Sequence, residues 1–191
     1  DATVEEWAQR CLLDDASLTQ ADRLTTWSLA NLTELNTRFN ENPLVGEAGG
    51  GTFTGKWREQ LSGAPDEVRL LAAEVVLVHF LFVSSVTKAG KLAVVEVSLE
   101  GTGITFDPTS VSMRAMSQRI GHPGIGFNTR RDLQIGYLID FALRFKTLPE
   151  DERRQLLADP WKLRDFADDT THTIREMRHV LLHLLRPDEF E

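Results

Sequence analysis

Cysteine is almost absent from this chain. Cys11 stands alone among 191 residues, so no intrachain disulfide can form and a reducing, cytoplasmic setting is expected. Long apolar runs are missing too. Leu70 to Val83 comes nearest, but it is short of a bilayer's thickness and carries Glu74 and His79, so no membrane partner is expected. The chain also lacks positive charge: 21 basic residues face 29 acidic ones, for a net charge of −8. This balance argues against a domain-wide cationic surface for nucleic acid, because neutralised phosphates supply most non-specific affinity. A local basic patch is not excluded. No secretory leader is visible, and the chain reads as a single domain over 1–191, an N-terminal module of a longer protein.

What is present suits one helical domain. At this length roughly 70% of the unfolded surface can be buried without a disulfide or metal staple. Three Thr-x-x-Glu spacings (Thr3 to Glu6, Thr147 to Glu150, Thr173 to Glu176) have the form of capping boxes and predict helix starts. Helices are predicted over 4–13, over 28–39 with Leu29, Leu32, Leu35 and Phe39 on one face, and from Phe53 through Trp57 to Leu61. Pro65 opens the next, and 68–83 is apolar nearly all round, as a central buried helix must be. Further helices are predicted over 111–120, from Asn128 or Thr129 to Lys146, over 150–158 and 161–168, and from Ile174 to Leu185, where Pro187 stops the run.

Two stretches stand apart. The glycine-rich loop near 44–55 is the best irregular segment. Around 92–106, Val94, Val95 and Val97 favour a strand while the flanking Ala, Lys and Glu allow a helix, so a minor irregular or strand segment is kept open beside the helical reading. The fold class is all-α, and the four tryptophans (Trp7, Trp27, Trp57, Trp161) read as core anchors.

Few segments carry chemistry. Gly50-Gly-Thr-Phe-Thr-Gly55-Lys56 has the spacing of a phosphate-binding P-loop, but Trp57 stands where a magnesium-ligating hydroxyl is needed and no apolar strand precedes it, so it reads as a chance match. Gly121-His-Pro-Gly124-Ile-Gly126 opens a helix. Its amides, with Gly124, Gly126 and Asn128 shaping the turn and Arg130, Arg131 and Lys146 adding charge, are the candidate site for phosphate contact. The reading favoured over it is a tight turn that lets Phe127 pack, with the arginines paired to acidic neighbours. His179 and His183, four apart, have the spacing of two zinc ligands, but no cysteine is near and His79 or His172 becomes a third ligand only if the fold brings it there, so they read as surface histidines. Glu74 interrupts an apolar helix and needs a partner if buried. It reads as an ion-pair anchor to Lys88, Arg130 or Arg131 sooner than as a catalytic acid. No Ser-His-Asp order or nucleophile elbow occurs. No catalytic residue and no cofactor is expected.

One further reading comes from the order of the pieces: Trp27 with Leu32 and Leu35, Ala73-Glu74 through Leu81-Phe82, Lys88, Ile120 through Arg131, Phe141, Phe145-Lys146, Leu156 through Trp161, and Arg178 through Phe190. This order resembles the helical region ahead of the motor in McrB-like AAA ATPases and GTPases of modification-dependent restriction. Arg186 departs from the apolar residue that the pattern places before Pro187-Asp188. The family's nucleotide-binding motifs lie in the motor, so the resemblance implies no catalytic residue here. It implies a bacterial, non-enzymatic recognition or adaptor module in restriction or antiviral defence. The partners it implies are the protein's own C-terminal AAA motor, DNA, and a nuclease subunit or other protein. A structural oligomerisation or docking scaffold without DNA contact is the alternative.

Overall fold

Helix α4 (Asp66–Phe80) runs through the centre of the molecule, and nearly every side chain from Val68 to Phe80 is buried. A helix can be apolar all round only if neighbours cover every side, and here α2 (Leu29–Asn36), α5 (Lys88–Leu99) and α7 (Arg131–Thr147) do so. The computed structural model describes residues 2–83, 85–117, 130–172 and 174–190. Within them ten α-helices and no strand occur; the others are α1 (Ala2–Glu6), α3 (Phe53–Gln60), α6 (Val111–Ser117), α8 (Glu150–Ala158), α9 (Pro160–Asp168) and α10 (Arg175–Leu185). One contiguous apolar core draws on all of them, from Val4 to Leu184.

The stretch 92–106 divides: 92–99 is helical, the end of α5, and 100–106 is turn and irregular backbone. Lys91, Val94, Val95 and Ser98 are buried on α5 at positions i, i+3, i+4 and i+7, which is helical periodicity, and Thr87 caps the start through the Gly90 amide at 3.2 Å. The valines' strand preference yields because α4 offers them a packing surface.

Two helices change winding. α1 continues as a π-helix over Trp7–Leu13, burying Trp7, Cys11 and Leu12, and α2 continues as one over Thr37–Glu41. Such widened turns often sit at functional sites; the second carries Phe39 and Asn40.

The expected capping boxes are replaced by other arrangements. Thr3 is a buried residue within α1. Thr147 ends α7, its hydroxyl donating to the Arg144 carbonyl at 2.6 Å, while Pro149 takes the N-cap of α8. Thr173 lies outside the described residues. The side-chain caps that operate among the described residues are Ser28 on α2, Thr52 on α3, Thr87 on α5 and Asp159 on α9, the last accepting from the Trp161 and Lys162 amides at 3.0 and 3.2 Å.

The tryptophan reading needs one correction. Trp7, Trp27 and Trp57 are fully buried, but Trp161 is 62% exposed. The Asp159 cap and Pro160 set the first turn of α9 so that the indole faces outward, flanked by the Arg164 guanidinium at 5.0 Å and the Phe190 ring at 6.1 Å. No helix among the described residues is long and apolar enough to cross a membrane.

Candidate functional site

Glu74 is buried in the middle of α4, and no basic side chain among the described residues pairs with it. Its carboxylate accepts five hydrogen bonds from the loop that follows the first helix. Oε1 takes the Ser17 hydroxyl, the Thr19 amide at 2.9 Å and the Thr19 hydroxyl at 2.6 Å; Oε2 takes the Leu18 amide at 3.0 Å and the Trp27 indole at 2.7 Å. The expected ion pair to Lys88, Arg130 or Arg131 is therefore not formed; neutral donors do the work of a counter-ion. Burial raises the Glu74 pKa and the hydrogen bonds oppose it. With every oxygen engaged by structural donors and no opening to solvent, Glu74 fastens the 17–27 loop to α4 instead of serving a substrate.

The other flagged side chains are similarly occupied. Lys146 does not reach the surface. Its ammonium donates to the Cys11 carbonyl at 2.6 Å and pairs with Asp15, and burial lowers its pKa in spite of that carboxylate. It is thus withdrawn from the phosphate-contact set. Arg131 lies between two phenyl rings, 5.3 Å from Phe53 and 5.2 Å from Phe80, a cation–π sandwich that leaves it half-buried. Arg130 is exposed at the start of α7. Gly124, Gly126 and Asn128 lie outside the described residues.

On α10, His183 engages the Phe190 carbonyl through Nδ1 at 2.7 Å and stands edge-on to Phe82, pinning the C-terminal segment; His179 meets Arg175 at 3.4 Å. No group of three potential metal ligands is assembled among the described residues. His79, buried on α4, bonds Gln134 at 2.8 Å, and burial lowers its pKa to about 4. Burial pushes the Cys11 thiol well above its ordinary value, the wrong direction for a nucleophile.

Accessible polar groups converge elsewhere, in a cleft of about 270 Å³ between the π-helical end of α2, α3, and the start of α7. Its apolar walls are Phe39, Leu44, Phe53 and Leu133. Its polar side chains among the described residues are Asn40, Lys56, Gln60, Asp132 and His172. The sequence explains how these meet. Gly136 sits in the middle of α7, where glycine costs about 1 kcal/mol relative to alanine. A Cβ there would lie 2.6 Å from Asn40 Oδ1, so the missing methyl is what lets the carboxamide lie against the helix. Asn40 Nδ2 then donates to the Gly136 carbonyl at 3.0 Å and to Asn36 Oδ1 at 2.8 Å, which holds the side chain at the cleft floor.

The glycine loop has a similar role. Gly49, Gly50 and Gly51 all adopt positive φ, and the Gly49 carbonyl packs where a Cβ on Gly55 would be, so the first turn of α3 fits closely against the loop and presents Lys56 to the cleft. This is a packing device with no strand before it among the described residues, in keeping with a chance P-loop match.

Lys56 and Asp132 share the cleft, yet neither forms an ion pair within 4.0 Å among the described residues. The His172 ring borders the site and stacks edge-on against Tyr137 at 6.4 Å. Of these cleft residues the sequence flags only Lys56, within the chance P-loop match, and His172, as a remote third zinc ligand. The legible signals were Gly136, a costly residue inside a long amphipathic helix, and the glycine pair Gly49 and Gly55. Comparison with protein-family models, with curated proteins and with solved structures finds no match.

Proposed function

We propose that this chain is a non-catalytic recognition module that holds a partner in the cleft between α2, α3 and α7. One observation carries the reading: the buried groups able to do acid–base or nucleophilic chemistry have structural duties, while Asn40, Lys56, Asp132 and His172 line an apolar-walled cleft. Among the described residues that line the cleft there is no hydroxyl or thiol nucleophile beside a base.

The setting we propose is the one implied by the resemblance to the region ahead of McrB-like motors: an adaptor that couples recognition to an AAA motor in bacterial DNA restriction or antiviral defence. Direct DNA contact is the weaker version of this reading. Of the three cations expected to touch phosphate, Lys146 is internal and Arg131 is stacked between rings, which leaves Arg130 against a net charge of −8. A protein or small-ligand partner fits these facts better.

Fluorescence anisotropy with duplex, methylated duplex and single-stranded oligonucleotides across a salt series separates the versions. Weak binding that ignores Arg130→Ala is expected. Steeply salt-dependent binding that Arg130→Ala weakens would restore the DNA version. The non-catalytic reading itself falls if the purified chain turns over nucleotide, ester or phosphodiester substrates and Glu74→Gln or a cleft substitution abolishes the turnover.

A further inference from the structure

The cleft has a composition that narrows its ligand. Among the described residues its lining has one lysine, Lys56 on α3, and one carboxylate, Asp132 on α7, and the two form no ion pair with each other. Between them lie apolar surfaces from Phe39, Leu44, Phe53 and Leu133 and the fixed carboxamide of Asn40. We propose that this cleft binds an apolar α-amino-acid unit with a free carboxylate, either as the free amino acid or as the C-terminal residue of a peptide. The proposal rests on the recognition reading and specifies what is recognised.

Charge decides among ligand classes. A phosphate or nucleotide brings about two negative charges to a site with one lysine and an opposing carboxylate, and the second charge would be repelled by Asp132. A simple amine pairs with Asp132 but meets Lys56. A fatty acid satisfies Lys56 and desolvates Asp132 without a partner, which is unfavourable. An α-amino-acid unit answers each group: its carboxylate to Lys56, its N–H or ammonium to Asp132, its side chain to the phenyl and leucine walls.

Size agrees. Pockets for drug-sized molecules run from about 300 to 1,000 Å³, and a cleft of about 270 Å³ suits a single residue. The site is also held in place before any ligand arrives. Asn40 is tied to Gly136 and Asn36, and Phe53 is stacked at 5.8 Å on the buried Trp57, so little ordering remains to be done on binding.

The test is an NMR titration of the isotope-labelled chain with leucine, leucinamide, a leucine-terminated tetrapeptide with a free carboxylate, and the same tetrapeptide as its C-terminal amide. Leucine and the free-acid peptide are expected to shift the Asn40, Phe53 and Gly136 resonances saturably, and both amides to bind roughly tenfold more weakly or worse, the loss of one charge-assisted contact. Lys56→Gln should weaken the acids by about the same factor, and Asp132→Asn should do so by a smaller one, with resonances remote from the cleft unchanged. Tighter binding of leucine than of the peptide identifies a free amino acid as the ligand; the reverse identifies a peptide terminus.

Equal binding of acids and amides overturns the ligand class and leaves the recognition reading standing. Binding indifferent to both substitutions, or no shift at the cleft with any of the four, overturns the proposal. Turnover in the assays described above would instead overturn the recognition reading, whatever the cleft holds.

Discussion

The Trp27 indole donates to the Glu74 carboxylate at 2.7 Å, both groups fully buried, while the Trp7 indole, edge-on to Trp27 at 6.0 Å, finds no acceptor among the described residues. Two tryptophans in one aromatic contact therefore do different work. A hydrogen bond to a buried charge is worth about 1.5–3 kcal/mol, whereas an unsatisfied N–H contributes only its desolvation cost. Trp27→Phe should destabilise the protein by about 2 kcal/mol more than Trp7→Phe, measured by urea unfolding of the two variants. Equal losses would mean that the indole adds nothing to the Glu74 cradle beyond packing.

Gly136 and Asn40 form a second coupled pair. Alanine at 136 gains about 1 kcal/mol of helix propensity but sets a methyl 2.6 Å from Asn40 Oδ1. Gly136→Ala should be net destabilising by about 1 kcal/mol, as in overpacking, and Asn40→Ala in the same chain should relieve most of it. Additive losses in that double-mutant cycle would show the contact to be soft.

Lys146 and Asp15 differ in what surrounds them. The Lys146 side chain is buried, while Asp15 is 41% exposed and holds a left-handed backbone at φ 63°. Lys146→Met should cost about 1 kcal/mol, since Asp15 can rehydrate and the alkyl stem is replaced. Asp15→Ala should cost about 3 kcal/mol, because it leaves a buried ammonium with one carbonyl and places a Cβ residue without a polar side chain in the left-handed region. Asp15→Asn should fall between. Thermal unfolding of the three variants checks the order.

His79 should govern the acid limb of stability. Its folded pKa of about 4 lies below the ordinary 6.5, so the unfolded chain binds more protons between those values. Stability contributed by neutral His79 is present above pH 6.5 and is lost as pH falls toward 4, by about 3 kcal/mol if the whole shift is expressed. Glu74 acts with the opposite sign. Its raised pKa means that its contribution is present at low pH and lost as pH rises through the folded value. His79→Gln should flatten the fall in unfolding free energy between pH 6.5 and 4, followed by urea titration at several pH values; an unchanged slope would assign the acid limb to other groups.

Helix periodicity made most elements readable. The stripe of Leu32, Leu35 and Phe39, the largely apolar run of α4 and the inward set Tyr137, Leu138, Phe141 and Phe145 are patterns in one dimension and are buried as the patterns require, whereas Leu29, expected on the same stripe, is exposed in the first turn of α2. Thr147, Trp161 and Lys146 were misleading for a common reason. Each residue type has two stable uses: a threonine can open or close a helix, an indole can anchor or face outward, and an ammonium can meet water or a buried carbonyl. Neighbours remote in sequence choose between them. For Lys146 those neighbours are Cys11 and Asp15, more than 130 residues away.

By itself, then, the sequence determined an all-α chain with a buried central helix, no disulfide and no bilayer-spanning run, because composition and 3.6-residue periodicity act locally and need no partner to be read. Only the tertiary structure decided that Glu74 is held by neutral donors, that the expected phosphate-binding cations are mostly engaged inside, and that Lys56, Asp132 and Asn40 share one cleft. Those outcomes depend on how three helices cross, and crossing is fixed by side-chain fit between segments about 100 residues apart, such as the absent methyl of Gly136 beneath Asn40.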